Sequence, residues 1–202
     1  VLNNSAIKGG TISPGGLDKI LRIQEIAREN KLPVVTLAES GGANLNYATD
    51  VFIPGAKAFA NQARMSAAGI PQVTVVHGNA TAGGAYQPGM SDYTIMVKEQ
   101  SKMFLAGPPL VKMATGEESD DETLGGAQMH SEFSGSGDYF AEDEMDAIRL
   151  CREVVSHLNW RKPAPPPRFA APSPPSAPHM GVTPRCAREP INNPERSSDL
   201  WY

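Results

Sequence analysis

Gly69-Ile70-Pro71-Gln72-Val73-Thr74-Val75-Val76-His77-Gly78-Asn79-Ala80-Thr81-Ala82-Gly83-Gly84-Ala85-Tyr86 is the stretch on which the fold turns. Gly69-Ile70-Pro71 breaks a preceding helical pattern. Val73-Thr74-Val75-Val76 then reads as a short strand rich in β-branched residues. Thr81 to Tyr86 forms a glycine corner just beyond it. In open α/β sheets, ligands sit outside the carboxyl ends of the strands, where loops pass into helix starts. Glycine there removes the Cβ, so a ligand oxygen can reach backbone N–H groups that have no partner inside the helix.

Working upstream, the same unit recurs. Leu17 to Asn30 places Leu17, Ile20, Leu21, Ile23 and Ala27 on one face of an amphipathic helix, with Pro14-Gly15 at its entrance. Leu32-Pro33-Val34-Val35-Thr36-Leu37-Ala38 suits a strand buried on both faces. It ends at Glu39-Ser40-Gly41-Gly42-Ala43, a second glycine corner, and Ala56 to Ala68 continues as a helix. Downstream come a strand at Tyr93–Val97, then Phe104-Leu105-Ala106 and a proline-started helix at Pro108-Pro109. A last helix spans roughly Asp143 to Leu158, with Met145, Ile148, Cys151, Val155 and Leu158 inward. Asp143, Glu144 and Asp146 suit the positive end of its dipole. Alternating helix and strand predicts an α/β fold with parallel strands and right-handed crossovers.

One pair of glycines is by itself better explained by a tight turn or by close helix–strand packing. Two pairs at equivalent ends of neighbouring strands favour an anion or oxyanion site. Gly41 and Gly42 stand at the first corner and Gly83 and Gly84 at the second, with Ala43, Ala85 and Tyr86 beside them; loop geometry alone does not say which anion they meet.

Composition removes several alternatives. The 202 residues carry a formal charge of −4, which leaves no basic footprint for nucleic acid. Apolar runs stop well short of the ~20 residues that span a bilayer, so no membrane segment is expected. The two cysteines, Cys151 and Cys186, are too few and too widely spaced for a disulfide framework or a zinc site, and no metal is expected. There is no Gly-x-x-x-x-Gly-Lys-Ser/Thr loop, no Gly-x-Gly-x-x-Gly fingerprint and no Gly-x-Ser-x-Gly elbow. His77 and His130 read as packed or surface residues, and Glu117 to Glu122 as a solvated helix start.

Eleven of the 18 prolines fall between Pro163 and Pro194. Proline lacks the amide proton and blocks the preceding turn. Residues 163–202 are therefore expected to be a Pro-rich disordered tail, with a ligand for a partner groove as the alternative. Val1-Leu2-Asn3-Asn4 opens without an introductory element, so the chain is expected to start inside a longer protein.

Several ordered strings resemble the β subunit of biotin-dependent acyl-CoA carboxylases. They are Lys8-Gly9-Gly10-Thr11, Glu39-Ser40-Gly41-Gly42-Ala43, Thr81-Ala82-Gly83-Gly84-Ala85-Tyr86 and, above all, Phe104-Leu105-Ala106-Gly107-Pro108-Pro109-Leu110-Val111-Lys112. Thr115-Gly116-Glu117-Glu118, Leu124-Gly125-Gly126-Ala127, His130, Ser134-Gly135 and Asp138 continue the resemblance in order, over about residues 3 to 162. The strings are most similar to the methylcrotonyl-CoA and propionyl-CoA carboxylase group, although residues 42–47 depart from the methylcrotonyl branch.

The resemblance implies a crotonase-like (ClpP/crotonase) spiral of strand-strand-helix units, with residues 1–162 an incomplete N-terminal, acyl-CoA-binding carboxyltransferase domain. It implies that carboxybiotin, carried by a biotin carboxylase/biotin carrier subunit, releases carbon dioxide beside the thioester. Biotin N1 then takes the acidic proton of the acyl-CoA and the enolate captures the carbon dioxide. Biotin is thus the expected cofactor, bound to the partner and not to this chain. The resemblance makes the Gly41, Gly42, Gly83 and Gly84 amides the expected oxyanion donors, one pair for the thioester and the other for the biotin ureido group, with Ala43 and Ala85 at the pocket wall and Tyr86 either there or in the core. The full-length subunit is expected to be a homo-oligomer, cytoplasmic in bacteria or in the mitochondrial matrix of eukaryotes. The fragment alone is expected to be weakly active or inactive. Two other functions compete: a crotonase-like enoyl-CoA hydratase or isomerase, for which Glu39 or Glu118 would supply the carboxylate, and an inactive assembly remnant.

Overall fold

Ser13 sets the first helix in place: its Oγ accepts the Gly16 N–H at 3.3 Å, and Pro14 follows at the first helical position, where its missing N–H costs nothing. In the computed structural model, which describes residues 1–161, α1 runs Pro14–Asn30 and stops where Lys31 turns left-handed. The other α-helices and strands are β1 (Val34–Ser40), α2 (Ala48–Ala67), β2 (Gln72–Thr81), α3 (Gly83–Gly89), β3 (Tyr93–Val97), β4 (Lys102–Phe104), α4 (Pro108–Thr115), α5 (Asp121–Gly125), α6 (Ala127–Met129), β5 (Tyr139–Ala141) and α7 (Glu144–His157). The chain divides at Pro163 into two units. The Pro-rich tail expected at 163–202 lies outside the described residues.

All strand pairs are parallel, as the alternation of elements predicts. The sheet path is β1-β2-β3-β5, and β4 leaves it to pair with β2. β2 is longer than the predicted Val73–Val76 and changes partner along its length. Val73 to Val76 lie beside β3, whereas Asn79 to Thr81 lie beside β4. A simple parallel sheet has no such fork. It arises because the chain turns at Lys98–Gln100 and returns to β2 one level further on.

Ser101 holds the fork. Its fully buried Oγ accepts the Val97 N–H at 2.7 Å and donates to the Val76 carbonyl, clasping the two strands where the β2–β3 ladder ends.

Two core layers flank β2. On one face Val73, Val75, Ile95 and Val97 pack with Ala147, Cys151 and Val154 of α7. On the other, Val76, Ala80 and Met96 pack with Ala85, Met103 and Ala127. The inward face of α7 therefore differs from the expected one: Cys151 is buried, but Met145 is 78% exposed, and Ile148 and Val155 sit at the helix margin. Small residues let the helix approach the sheet closely, so Ala147 takes the contact and the larger side chains flank it. Likewise α1 buries Leu17, Gln24 and Ala27 and leaves Ile23 exposed. α2 begins at Ala48, eight residues before the predicted start, and carries Pro54 inside it.

Candidate functional site

β1 and β2 end side by side, with Ser40 paired to Ala80, so the two glycine corners meet at one edge of the sheet. The first corner is bound into the protein. Ser40 Oγ donates to the Gly10 carbonyl at 3.0 Å and accepts the Gly42 N–H at 3.2 Å, and the Gly41 N–H donates to the Gly9 carbonyl at 3.0 Å. Gly42 has φ +86°, which glycine adopts without steric cost.

The second corner is built differently. Ala82 donates its N–H to the Phe104 carbonyl at 3.1 Å and takes φ 51°, ψ −118°, a conformation that costs a non-glycine residue about 1–3 kcal/mol. This turn points the chain from β2 straight into α3. Gly83 and Gly84 hold the first two helical positions, whose N–H groups have no acceptor within the helix. Among the described residues neither amide has a hydrogen-bond partner. Gly84 also packs closely, since a Cβ there would lie 2.8 Å from the Ser40 carbonyl oxygen.

A cavity of about 480 Å³ opens beside these corners and runs between α1 and α2. Gly41, Ala43, Gly83 and Tyr86 line it. Gly42 and Gly84 are buried behind its wall, and Ala85 lies in the core layer with Val76 and Met96, so Ala85 does not shape the pocket surface as expected. Its side chain points back into the sheet because it lies on the inner face of α3. The Tyr86 ring is 48% exposed and tilts against Phe59, with ring centroids 5.3 Å apart.

The sequence reading missed Ser40, Ala82, Phe59, Leu105 and Leu110. Ser40 and Ala82 lay inside the quoted motifs but carry no chemical signature of their own. Leu105 and Leu110, both more than half exposed, line the cavity mouth from the Phe-Leu-Ala-Gly-Pro-Pro-Leu string.

The lining is apolar apart from amide and hydroxyl groups. Among the described residues no Asp, Glu, His, Lys, Arg or Cys borders it, and Tyr86 is its one ionisable side chain. Glu39 projects from the opposite face of β1, where its Oε2 is 3.9 Å from His77 Nδ1. Glu118 pairs with Lys112 at 2.6 Å on the surface. Neither reaches the cavity.

His130 is a packed residue. Nε2 donates to the Met103 carbonyl at 2.6 Å, which leaves Nδ1 to accept from Ser134 Oγ at 2.7 Å. Asp120, inside the acidic run, caps α5 by accepting the Thr123 N–H at 2.9 Å. No group of three His, Cys, Asp or Glu residues that could hold a metal occurs among the described residues. No helix among them is long and apolar enough to cross a membrane. A shallower groove of about 690 Å³ lies on the far face between β1 and α7, away from both corners.

Residues 1–194 match the family described as the carboxyl transferase domain. The chain is 61% identical over 167 residues to a probable biotin-dependent acyl-coenzyme A carboxylase beta2 subunit of Mycobacterium tuberculosis, covering 83% of this chain and 32% of that one. It is 53% identical to a probable mitochondrial methylcrotonoyl-CoA carboxylase beta chain of Drosophila melanogaster, covering 79% of this chain and 28% of the other. Among solved structures, the beta subunit of P. aeruginosa geranyl-CoA carboxylase shares 64% identity at a TM-score of 0.74, over 79% of this chain and 30% of that one. The chain thus spans about a third of the length of the relatives it matches. Its forked parallel sheet with outer helices is the crotonase-like fold of those structural neighbours. The resemblance read from its glycine and Phe-Leu-Ala-Gly-Pro-Pro strings therefore stands: the chain belongs to the carboxyl transferase domain family.

Proposed function

We infer that this chain forms the acyl-CoA-binding half of a carboxyltransferase in a biotin-dependent acyl-CoA carboxylase, acting on a methylcrotonyl-CoA-like thioester. The observation that carries the reading is the absence of any carboxylate, imidazole, amine or thiol from the cavity wall among the described residues. A hydratase needs a carboxylate beside its substrate, and Glu39 and Glu118 both stand outside. A site that leaves proton transfer to a cofactor needs only to bind, orient and stabilise charge. The carboxybiotin of a partner subunit supplies the carbon dioxide and the base for that chemistry.

The chain's own residues do the rest. The apolar wall of Phe59, Leu105 and Leu110 excludes water from the acyl group. Gly83 on the cavity wall and Gly84 directly behind it carry the uncommitted amides of the two corners, so they are the proposed donors to the enolate oxygen, with Gly83 the nearer. A donor of this kind is worth about 3 kcal/mol when it faces developing charge. The amides of Gly41 and Gly42 are already donated to Gly9 and Ser40, which leaves that corner the role of a rigid wall carrying Ala43. Tyr86 flanks the thioester from α3. The names of the relatives, biotin-dependent and beta subunit, support a biotin-carrying partner; the hexamer assembly of the similar transcarboxylase 12S supports a homo-oligomeric full-length subunit; and the bacterial and mitochondrial sources support either of those settings.

Titrating the chain with 3-methylcrotonyl-CoA and following backbone amides by NMR tests the reading. The Gly83 and Gly84 resonances should move with the thioester and stay in place with a thioether analogue that lacks the carbonyl. Equal movement with both ligands would remove the oxyanion role. Hydration of an enoyl-CoA in the absence of biotin would replace the carboxyltransferase reading with the hydratase one.

A further inference from the structure

We propose that Glu39 is a positioning residue, seated in a notch that Gly78 leaves in β2, and that this seat fixes where the Ser40-Gly41-Gly42 corner stands. The link to catalysis rests on the carboxyltransferase reading; the structural claim does not.

The pairing of β1 with β2 is interrupted at this point. Ala38 faces Val76, but Ser40 faces Ala80, so the single residue Glu39 is opposed by His77, Gly78 and Asn79. Regular pairing would set Ser40 opposite Gly78. The irregularity therefore carries the end of β1 two residues along β2, about 7 Å at the rise of a strand. That displacement brings Ser40 against Gly84, where a Cβ would come within 2.8 Å of the Ser40 carbonyl oxygen.

The Glu39 side chain occupies the gap. A Cβ built on Gly78 would lie 2.5 Å from both Glu39 Cγ and Oε1 and 2.7 Å from Cδ. The carboxylate then faces His77 Nδ1 at 3.9 Å, and the same nitrogen is 3.8 Å from Glu144 Oε1 at the start of α7. Gln100 donates to the His77 carbonyl at 2.7 Å, which closes the cluster from the β3–β4 turn. Glu39 is thus an acid held on the face of β1 opposite the cavity, directly before the residues that shape it.

Gly78 does not have a positive φ, and the atoms a methyl group would displace belong to a flexible side chain, so Gly78→Ala evicts Glu39 without straining the backbone. Hydrogen exchange read by NMR on the full chain tests the idea with Glu39→Ala, Gly78→Ala and the double variant. Each single variant should speed exchange of the Gly41 and Gly42 amides about tenfold while leaving Ile95 and Met96 in β3 at their wild-type rates. In the double variant the new methyl fills the emptied notch, and exchange should return to within about threefold of wild type. Single variants that exchange within about twofold of wild type would overturn the proposal, as would a double variant no better protected than the worse single one. A wild-type chain that fails to bind 3-methylcrotonyl-CoA would sink the carboxyltransferase reading and leave these exchange results to stand on their own.

Discussion

Gly84 illustrates how two demands meet at one residue. Its N–H is uncommitted at the start of α3, and its missing Cβ admits the Ser40 backbone. Gly84→Ala puts a methyl 2.8 Å from a carbonyl oxygen and 3.1 Å from Ser40 Cβ, so backbone must move. The expected cost is about 1–3 kcal/mol in urea denaturation, the range for overpacked sites; an unchanged midpoint would show that the corner can open freely. At this scale the sequence could nominate four glycines but could not rank them. An amide is spent or free according to its tertiary partners, and the acceptor for Gly41 is the carbonyl of Gly9, remote in the chain. Ala85 was read as pocket wall for the same reason: a one-residue step around α3 separates Ala85 in the core from Tyr86 at the cavity.

Among the elements, β2 carries the most. It holds β1, β3 and β4 at once, and Ser101 seals the point where β3 gives way to β4. Ser101→Ala removes the hydroxyl that clasps the Val76 carbonyl and the Val97 N–H in the core. Losing these buried contacts should cost about 1–3 kcal/mol by equilibrium unfolding. Loss below about 0.5 kcal/mol would mean that water replaces the hydroxyl. Strand existence and direction were legible, because a β-branched run between breakers is a local signal; β3 was read at its observed bounds. The fork was not legible from periodicity, since nothing in the residues Asn79 to Thr81 says which strand lies beside them; only the resemblance pointed to it. Helix faces were half legible. The stripe on α7 was read from large apolar residues, whereas the sheet selected Ala147, Cys151 and Val154.

For the whole molecule, two helix-associated carboxylates contribute to the pH dependence of stability. The Thr123 N–H, with its hydroxyl, holds Asp120 below the usual carboxylate range, and the Glu142 N–H, with Arg149, does the same for Asp146. A depressed folded-state value stabilises the native chain above the unfolded carboxylate's titration near pH ~4, and that contribution fades as the pH falls through the lower folded values. The urea midpoint should therefore hold steady from neutral pH down to about 5 and decline below about 4. Asp120→Asn and Asp146→Asn should each flatten the decline; profiles parallel to wild type would assign acid sensitivity elsewhere. These two surface carboxylates thus contribute to acid tolerance from positions remote from the cavity lining.

That inert lining bears on how the pocket can be blocked. Among the described residues, electrophilic warheads aimed at thiols, amines or carboxylates find no target on its wall, and a charged inhibitor finds no counter-ion to repay its lost hydration. Compounds that succeed should be neutral, shaped to the slot between α1 and α2, and tipped with a single carbonyl-like acceptor for the Gly83 and Gly84 amides.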